Sequence, residues 1–363
     1  MCLAKAGGAP LNAEPNNRNT QPKETAVINN RKIINKCTFG AIAAVLALQW
    51  TGAPALAGTT VSAPAQDVVT PPPPPSSPID LLLNVEFSNA YVTPRGMIVH
   101  DEGLTIQPLL LAFINLYKGD GFIDSAKIVG GVWNDFSTSP VSVHAPWGSP
   151  DKTHYTEIDP IFGVSVGFLK NFTLDVTYTA FVEQILDIGT SNHLDTKLSF
   201  NDTPYLGPFA IHPFFEYWQE LTGKATDADV PEAVFGPSSK SGSHPAPGSS
   251  YYFNVGIDPQ YTFGPSVLGG LKIEAPCSVL LPNERFYGDY YGPSSTVGLF
   301  ELGAKATVPI SFIPASYGHW SFHVGFNYFD FVDNNLYHLN EFNAPQRPKR
   351  TMYQVYGGFS AFF

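Results

Sequence analysis

The sequence predicts an all-β fold: a transmembrane antiparallel up-and-down β-barrel of about twelve strands over residues 79–363. Three observations point there. From Ile79 onward about twelve segments alternate apolar and polar residues with a period of two, and none of comparable strength has helical spacing. The connections between segments alternate long and short, as in hairpins with tight turns on one rim and long loops on the other. The chain also stops on an aromatic strand, "MYQVYGGFSAFF", in which Tyr353, Val355, Gly357, Phe359, Ala361 and Phe363 project to one side.

The N-terminal part reads differently. Arg31, Lys32 and Lys36 precede an apolar stretch, residues 39–48, and Ala55-Leu56-Ala57 suits cleavage, so residues 1–57 read as a leader with a secretory signal peptide. The apolar stretch is too short for a spanning helix, which needs about 20 residues. Cleavage would remove Cys2 and Cys37 and leave Cys277 alone, which excludes an intramolecular disulfide. It would also shift the net charge from −11 to −15, because residues 1–57 hold six Lys/Arg and two Asp/Glu. That sign disfavours a nucleic-acid partner. Residues 58–78, with five consecutive prolines, form a Pro-rich linker with nothing to bury.

Two of the alternating segments are especially clean. In "YYFNVGIDPQYTF" the row Tyr251, Phe253, Val255, Ile257, Pro259, Tyr261, Phe263 faces away from Tyr252, Asn254, Gly256, Asp258, Gln260 and Thr262. In "HWSFHVGFNY" the row Trp320, Phe322, Val324, Phe326, Tyr328 is free of charge. The connections fall near 94–102, 118–121, 138–153, 169–171, 185–192, 202–208, 222–248, 264–267, 283–295, 313–318 and 333–350. The short ones ("KGDG", "LKN", "FGPS") are turn chemistry, and the long ones are polar and rich in Pro, Gly and Ser.

A soluble sandwich would alternate too, with its apolar rows inside. The export signal, the loop asymmetry, the even strand count and the aromatic strand ends favour lipid. Trp320, Tyr328, Tyr217, Trp218, Tyr290 and Tyr291 suit interfacial girdles. Strands can span lipid only when closed, so the last strand must pair with the first, near "IDLLLNVEFSNAY".

On these residues the chain resembles Gram-negative outer-membrane β-barrel proteins. The row Tyr353, Val355, Phe359, Phe363 looks like that group's C-terminal assembly signal. The resemblance implies a cell outer-membrane location, a periplasmic linker at 58–78, outer-membrane lipid as surroundings and the barrel-assembly machinery as a partner. It supplies no activity and no cofactor.

If the apolar rows face lipid, the lumen is lined by Glu86, Asp175, Asp195, Lys197, Glu216, Asp258, Lys272, Glu274, Glu301, Lys305, His323 and Asn327. Acids outnumber bases, and rings of carboxylates favour cations. Arg95, Arg285, Arg347 and Arg350 all fall in connections, so anionic solutes are disfavoured. The favoured reading is a passive, porin-like channel for small neutral or cationic polar solutes. The alternative is a non-conducting structural or surface-interaction barrel, since twelve strands lie between the side-chain-filled eight and the open sixteen.

A membrane-lipid hydrolase is less favoured. Some twelve-stranded barrels of this membrane use Ser, His and Asn, and Ser321, His323 and Asn327 share one face here. Neighbours on one face lie about 7 Å apart, however, which is long for a nucleophile and its base. "HDEG" at 100–103 and "DFVDNN" at 330–335 offer loop oxygens, but acidic loop residues are ordinarily solvated, so no metal is expected. Cys277 falls on an apolar row with Ile273 and Ala275 and reads as a small lipid-facing hydrophobe.

Overall fold

The computed structural model describes residues 78–141, 153–184, 190–222, 250–284, 286–287, 295–343 and 350–363. The leader 1–57, almost all of the linker 58–78, Tyr290, Tyr291, Arg285, Arg347, most of the 138–153 and 222–248 connections and residues 344–349 of the 333–350 connection lie outside the described residues.

Twelve antiparallel strands form one closed barrel. They are β1 (Ile79–Ser88), β2 (Thr105–Lys118), β3 (Ile123–Val141), β4 (Thr153–Phe168), β5 (Phe172–Glu183), β6 (Ser191–Phe200) and β7 (Phe214–Thr222), followed by β8 (Ser250–Ile257, resuming at Gln260–Thr262). Next come β9 (Lys272–Glu274 and Cys277–Pro282), β10 (Leu299–Pro309), β11 (His319–Phe331) and β12 (Thr351–Phe362). Each strand pairs with its sequence neighbours, and β1 pairs with both β2 and β12. The seam runs from Leu82 opposite Phe362 to Ser88 opposite Tyr356. Beyond it, Leu81 and Phe363 exchange both backbone hydrogen bonds, at 3.1 and 2.9 Å. No edge remains to be satisfied by lipid.

The clean segment 251–263 is not one uninterrupted strand. Pro259 stands opposite Ala275 and Asp258 opposite Pro276, and with no proline N–H the ladder lapses there. The register is the same on both sides of the lapse. The carbonyls stay occupied: Ala275 N–H donates to Pro259 O at 2.9 Å, and Gly303 N–H to Pro276 O at 2.7 Å.

The register sorts the side chains. Tyr178, Phe162, Val164, Leu198, Phe215, Val255, Phe322, Val324, Phe326, Val355 and Phe359 are large, apolar and exposed on the outside. Aromatic rings gather at the two ends of this belt. Phe122, Phe209, Phe312, Tyr317 and Trp320 mark the turn end. At the loop end Phe136 stacks on Tyr155 at 4.6 Å, and Tyr217 lies by Tyr251 and Tyr328 by Tyr353. Trp218 does not join them. Its neighbour Tyr217 points out, so Trp218 points in, where it is 5% exposed. The girdle expectation fails for that residue because adjacent strand positions face opposite sides.

Two further departures concern the connections. A helix, α1 (Asn334–Asn343), lies where the sequence shows no convincing amphipathic pattern. Its Asp333 cap accepts from the amides of Asn335 (2.8 Å) and Leu336 (3.1 Å), and it docks through Leu336 and Asn340, not through a broad apolar stripe. A single helical turn, Thr203–Leu206, also sits in the 201–213 connection.

The apolar core is at the loop end, inside the barrel. Ala90, Ile98, Phe181, Trp218, Tyr252, Leu280, Phe286, Tyr287, Leu299, Phe329, Phe331, Leu336 and Met352 are packed there.

Candidate functional site

The first long connection, residues 89–104, does not stand clear of the barrel. Tyr91–Val92 and Ile98–His100 pair as a two-stranded ribbon, turned by Thr93-Pro94-Arg95-Gly96. That tetrapeptide has the residues a type I turn prefers, with Pro second and Gly fourth. Gly96 N–H donates to Thr93 O at 2.8 Å, and Gly96 takes φ +84°, a left-handed backbone that favours glycine. The ribbon folds into the loop end of the barrel and carries Arg95 at its tip, 1% exposed.

Every side of the ribbon is tied to the wall or to another loop. Asn340 of α1 accepts from Ile98 N–H at 2.9 Å and donates to Gly96 O at 3.0 Å. The Tyr287 hydroxyl donates to Arg95 O at 2.6 Å. His100 Nε2 meets Asp135 Oδ2 of β3 at 2.8 Å, and Gln107 Nε2 donates to Asp135 Oδ1 at 3.0 Å. Thr156 also donates to Asp135, so this fully buried carboxylate has partners on both oxygens. Asn327 donates to Gln354 at 3.2 Å, and Gln354 donates to Ala90 O at 2.8 Å. Tyr91 packs on Trp133 at 5.0 Å, and its hydroxyl lies beside Glu157. Burial, then the negative charge of Glu157, pushes the Tyr91 phenol well above its ordinary pKa. With Ile98 and Leu336 fully buried, at about 1.5–3 kcal/mol each, residues 90–100 form a stopper.

The sequence keeps Arg95 with the loops and leaves the lumen to acids; the ribbon instead brings Arg95 among them. Its guanidinium lies 4.8 Å from the Phe181 ring centroid and 5.6 Å from that of Trp218. Nη1 is 3.4 Å from His193 Nε2. Glu157, Asp159 and Glu183 are its electrostatic neighbours. Side-chain tips on one strand face can also meet, despite the spacing of their backbones. Ser191 Oγ lies 2.6 Å from His193 Nε2 although both sit on one face of β6, because side chains lean along the strand.

Below the stopper the lumen is polar. The register puts Glu86, Asp175, Asp195, Lys197, Glu216, Asp258, Lys272, Glu274, Glu301, Lys305, His323 and Asn327 on inward rows. Most of them meet. Asp175 stands opposite Lys197, and Glu216 accepts from Asn254 at 3.0 Å. Lys272 and Glu274 form an ion pair at 2.7 Å, and Glu274 stands opposite Lys305. Lys197 Nζ lies 4.3 Å from the Phe214 ring. A cavity of about 300 Å³ lies among Lys197, Glu216, Asn254, Asp258 and Glu301. His323 and Asn327 are separate from it: buried His323 faces Glu86 across 3.7 Å, and Asn327 belongs to the ties of the stopper.

The Ser321, His323, Asn327 row shows no contact of Ser321 with His323 among the described residues. Asp333 of "DFVDNN" caps α1, and His100 of "HDEG" is buried against Asp135. Cys277 shares its face with Ile257 and Leu302, the outward row.

An apolar belt facing outward, aromatic rims, closed hydrogen bonding and enclosed charge are what a bilayer requires of strands. The chain has the architecture of a membrane-spanning β-barrel. No family model and no curated protein matches it. Among solved structures it is similar to the β domain of the Bordetella autotransporter BrkA, at 8% identity and TM-score 0.34, covering 78% of this chain and 98% of that one. It is similar also to Pseudomonas aeruginosa OccK3 (8%, TM-score 0.28, 78% and 95%) and to a porin (10%, TM-score 0.26, 78% and 98%). The stopper lies at the end of the barrel that carries the long connections.

Proposed function

We propose that this outer-membrane barrel is a porin-like passive channel for small neutral or cationic polar solutes, shut at its outer mouth by its own first loop. The observation that carries the reading is an acid-rich cavity lying directly beneath a stopper that only side chains and hydrogen bonds hold. Seven carboxylates of the inward set stand against Lys197, Lys272 and Lys305, and carboxylate-lined constrictions favour cations. Displacing the ribbon breaks a small set of hydrogen bonds, worth about 1 kcal/mol each, and exposes Ile98.

Planar-bilayer recording tests this. Intact protein should be closed most of the time, and a barrel lacking residues 93–97 should conduct with cation preference in a salt gradient. Glu216→Lys with Glu301→Lys in that background should weaken or reverse the preference. A second reading, a non-conducting structural or surface-interaction barrel, is favoured by the depth of the stopper. A folded 93–97 deletion that stays electrically silent would establish it in place of the first. The Ser321, His323, Asn327 row gives a hydrolase no support, because His323 faces Glu86 and Asn327 is engaged with Gln354.

A further inference from the structure

Arg95 is a fully buried cation without a close counter-ion: among the described residues no carboxylate oxygen lies within 4.0 Å of it. Its Nε has no hydrogen-bond partner. Such a charge is costly to bury unless its surroundings replace water. Here they are ring faces and more distant charge. Phe181 and Trp218 present their rings to the guanidinium, and His193 completes the box, 4.7 Å from Phe181 and 4.9 Å from Trp218 by ring centroids. Beside Phe181 on the inner wall stand Glu157, Asp159 and Glu183, within electrostatic reach of the guanidinium. Glu157 is 1% exposed, and neither of its carboxylate oxygens accepts a hydrogen bond of ordinary geometry.

We propose that Phe181, Trp218 and His193, backed by Glu157, Asp159 and Glu183, form a binding site for organic cations of the guanidinium or quaternary-ammonium class, with Arg95 as its tethered occupant. Ring faces stabilise large, weakly hydrated cations and offer no lone pairs to sodium or calcium ions, which keep to oxygen ligands. The rings belong to the wall strands β5, β6 and β7, whereas the cation arrives on a four-residue turn. The box is therefore built without Arg95, and a free solute with the same head group can take its place. Unlike Arg95, that solute is not held by the turn and can move closer to Glu157, Asp159 and Glu183. Binding here does not depend on whether the lumen conducts.

The test is calorimetry on detergent-solubilised Arg95→Ala protein with ethylguanidinium and with choline, sodium chloride serving as the control. The variant should bind at least one organic cation saturably and at least tenfold more tightly than intact protein, and sodium not at all. Arg95→Ala/Trp218→Ala should lose that gain. A folded Arg95→Ala barrel that binds no tighter than intact protein, or equal binding by the double variant, overturns the site. Should Arg95→Ala fail to fold, hydrogen exchange of residues 93–98 in intact protein decides the matter. Saturable acceleration by ethylguanidinium and not by sodium supports displacement of Arg95, and no acceleration overturns it.

Discussion

Asn340 holds Gly96 by its carbonyl, at 3.0 Å, across 244 residues of sequence, and the same carboxamide accepts from Ile98 at 2.9 Å. One side chain thus satisfies two backbone groups of the ribbon tip. Asn340→Ala leaves both without partners in a buried place, at about 1–3 kcal/mol each. It should raise the open probability in bilayer recordings and speed hydrogen exchange at residues 96–98, with the barrel still folded.

At Gly96 any side chain is strained. A methyl group there would press on Leu299 and Leu336 at 3.1 and 3.2 Å, on a backbone of φ +84°. Gly96→Val should displace the ribbon as Asn340→Ala does. If the variant is instead as closed as intact protein in bilayers, the ribbon is not the stopper.

On the seam that closes the barrel, Gly358 stands opposite Glu86. A methyl group at this position would overlap the Val85 carbonyl oxygen. Gly358→Val should keep the seam from forming, which is read as loss of the heat-sensitive compact band on a gel. A compact band that persists would contradict the β1–β12 register.

Asp202 gives the turn rim a pH dependence. Burial works against its ionisation, but the amides of Ile211 (3.0 Å) and His212 (2.9 Å) donate to the carboxylate and hold its pKa below the ordinary value. A depressed pKa contributes stability that is present above the unfolded value, about 3.9, and is lost as pH falls through the lower folded value. Thermal unfolding of intact protein should lose that stability on acidification through this range. Asp202→Asn should be less stable at neutral pH by about 1 kcal/mol and flatter below pH 4.

The terminal row Tyr353, Val355, Phe359 and Phe363 is exposed on the outer face, at 63, 59, 46 and 47%. The reading of this row as the signal for the barrel-assembly machinery predicts that Phe359→Ser with Phe363→Ser slows membrane insertion in cells, with folding into detergent less affected. Equal losses in both settings would make the row merely structural.

The wall is legible in the sequence because a period of two assigns each strand residue to one of two faces. The same period carries Glu216 and Lys272 inward and Val324 outward. It carries nothing about a connection, and so Arg95 reads as a loop arginine although the turn drives it inward. Pro94 and Gly96 do mark a turn, but turn chemistry fixes local shape and not the direction a loop takes. Trp218 is misplaced for a different reason: residue type groups it with Tyr217, although their adjacency puts them on opposite faces. Helix α1 escapes the pattern because its docking rests on Asn340 and a capping Asp333 more than on apolar spacing.

Exposed connections are ordinarily where a barrel absorbs insertions and drifts in sequence. Residues 90–100 are denied that freedom, since Ile98 and Ala90 are interior material despite lying between strands. A peptide grafted between Tyr91 and His100 would pull Ile98 out from under Leu336, so anyone wishing to display a foreign epitope on this protein must look to another loop.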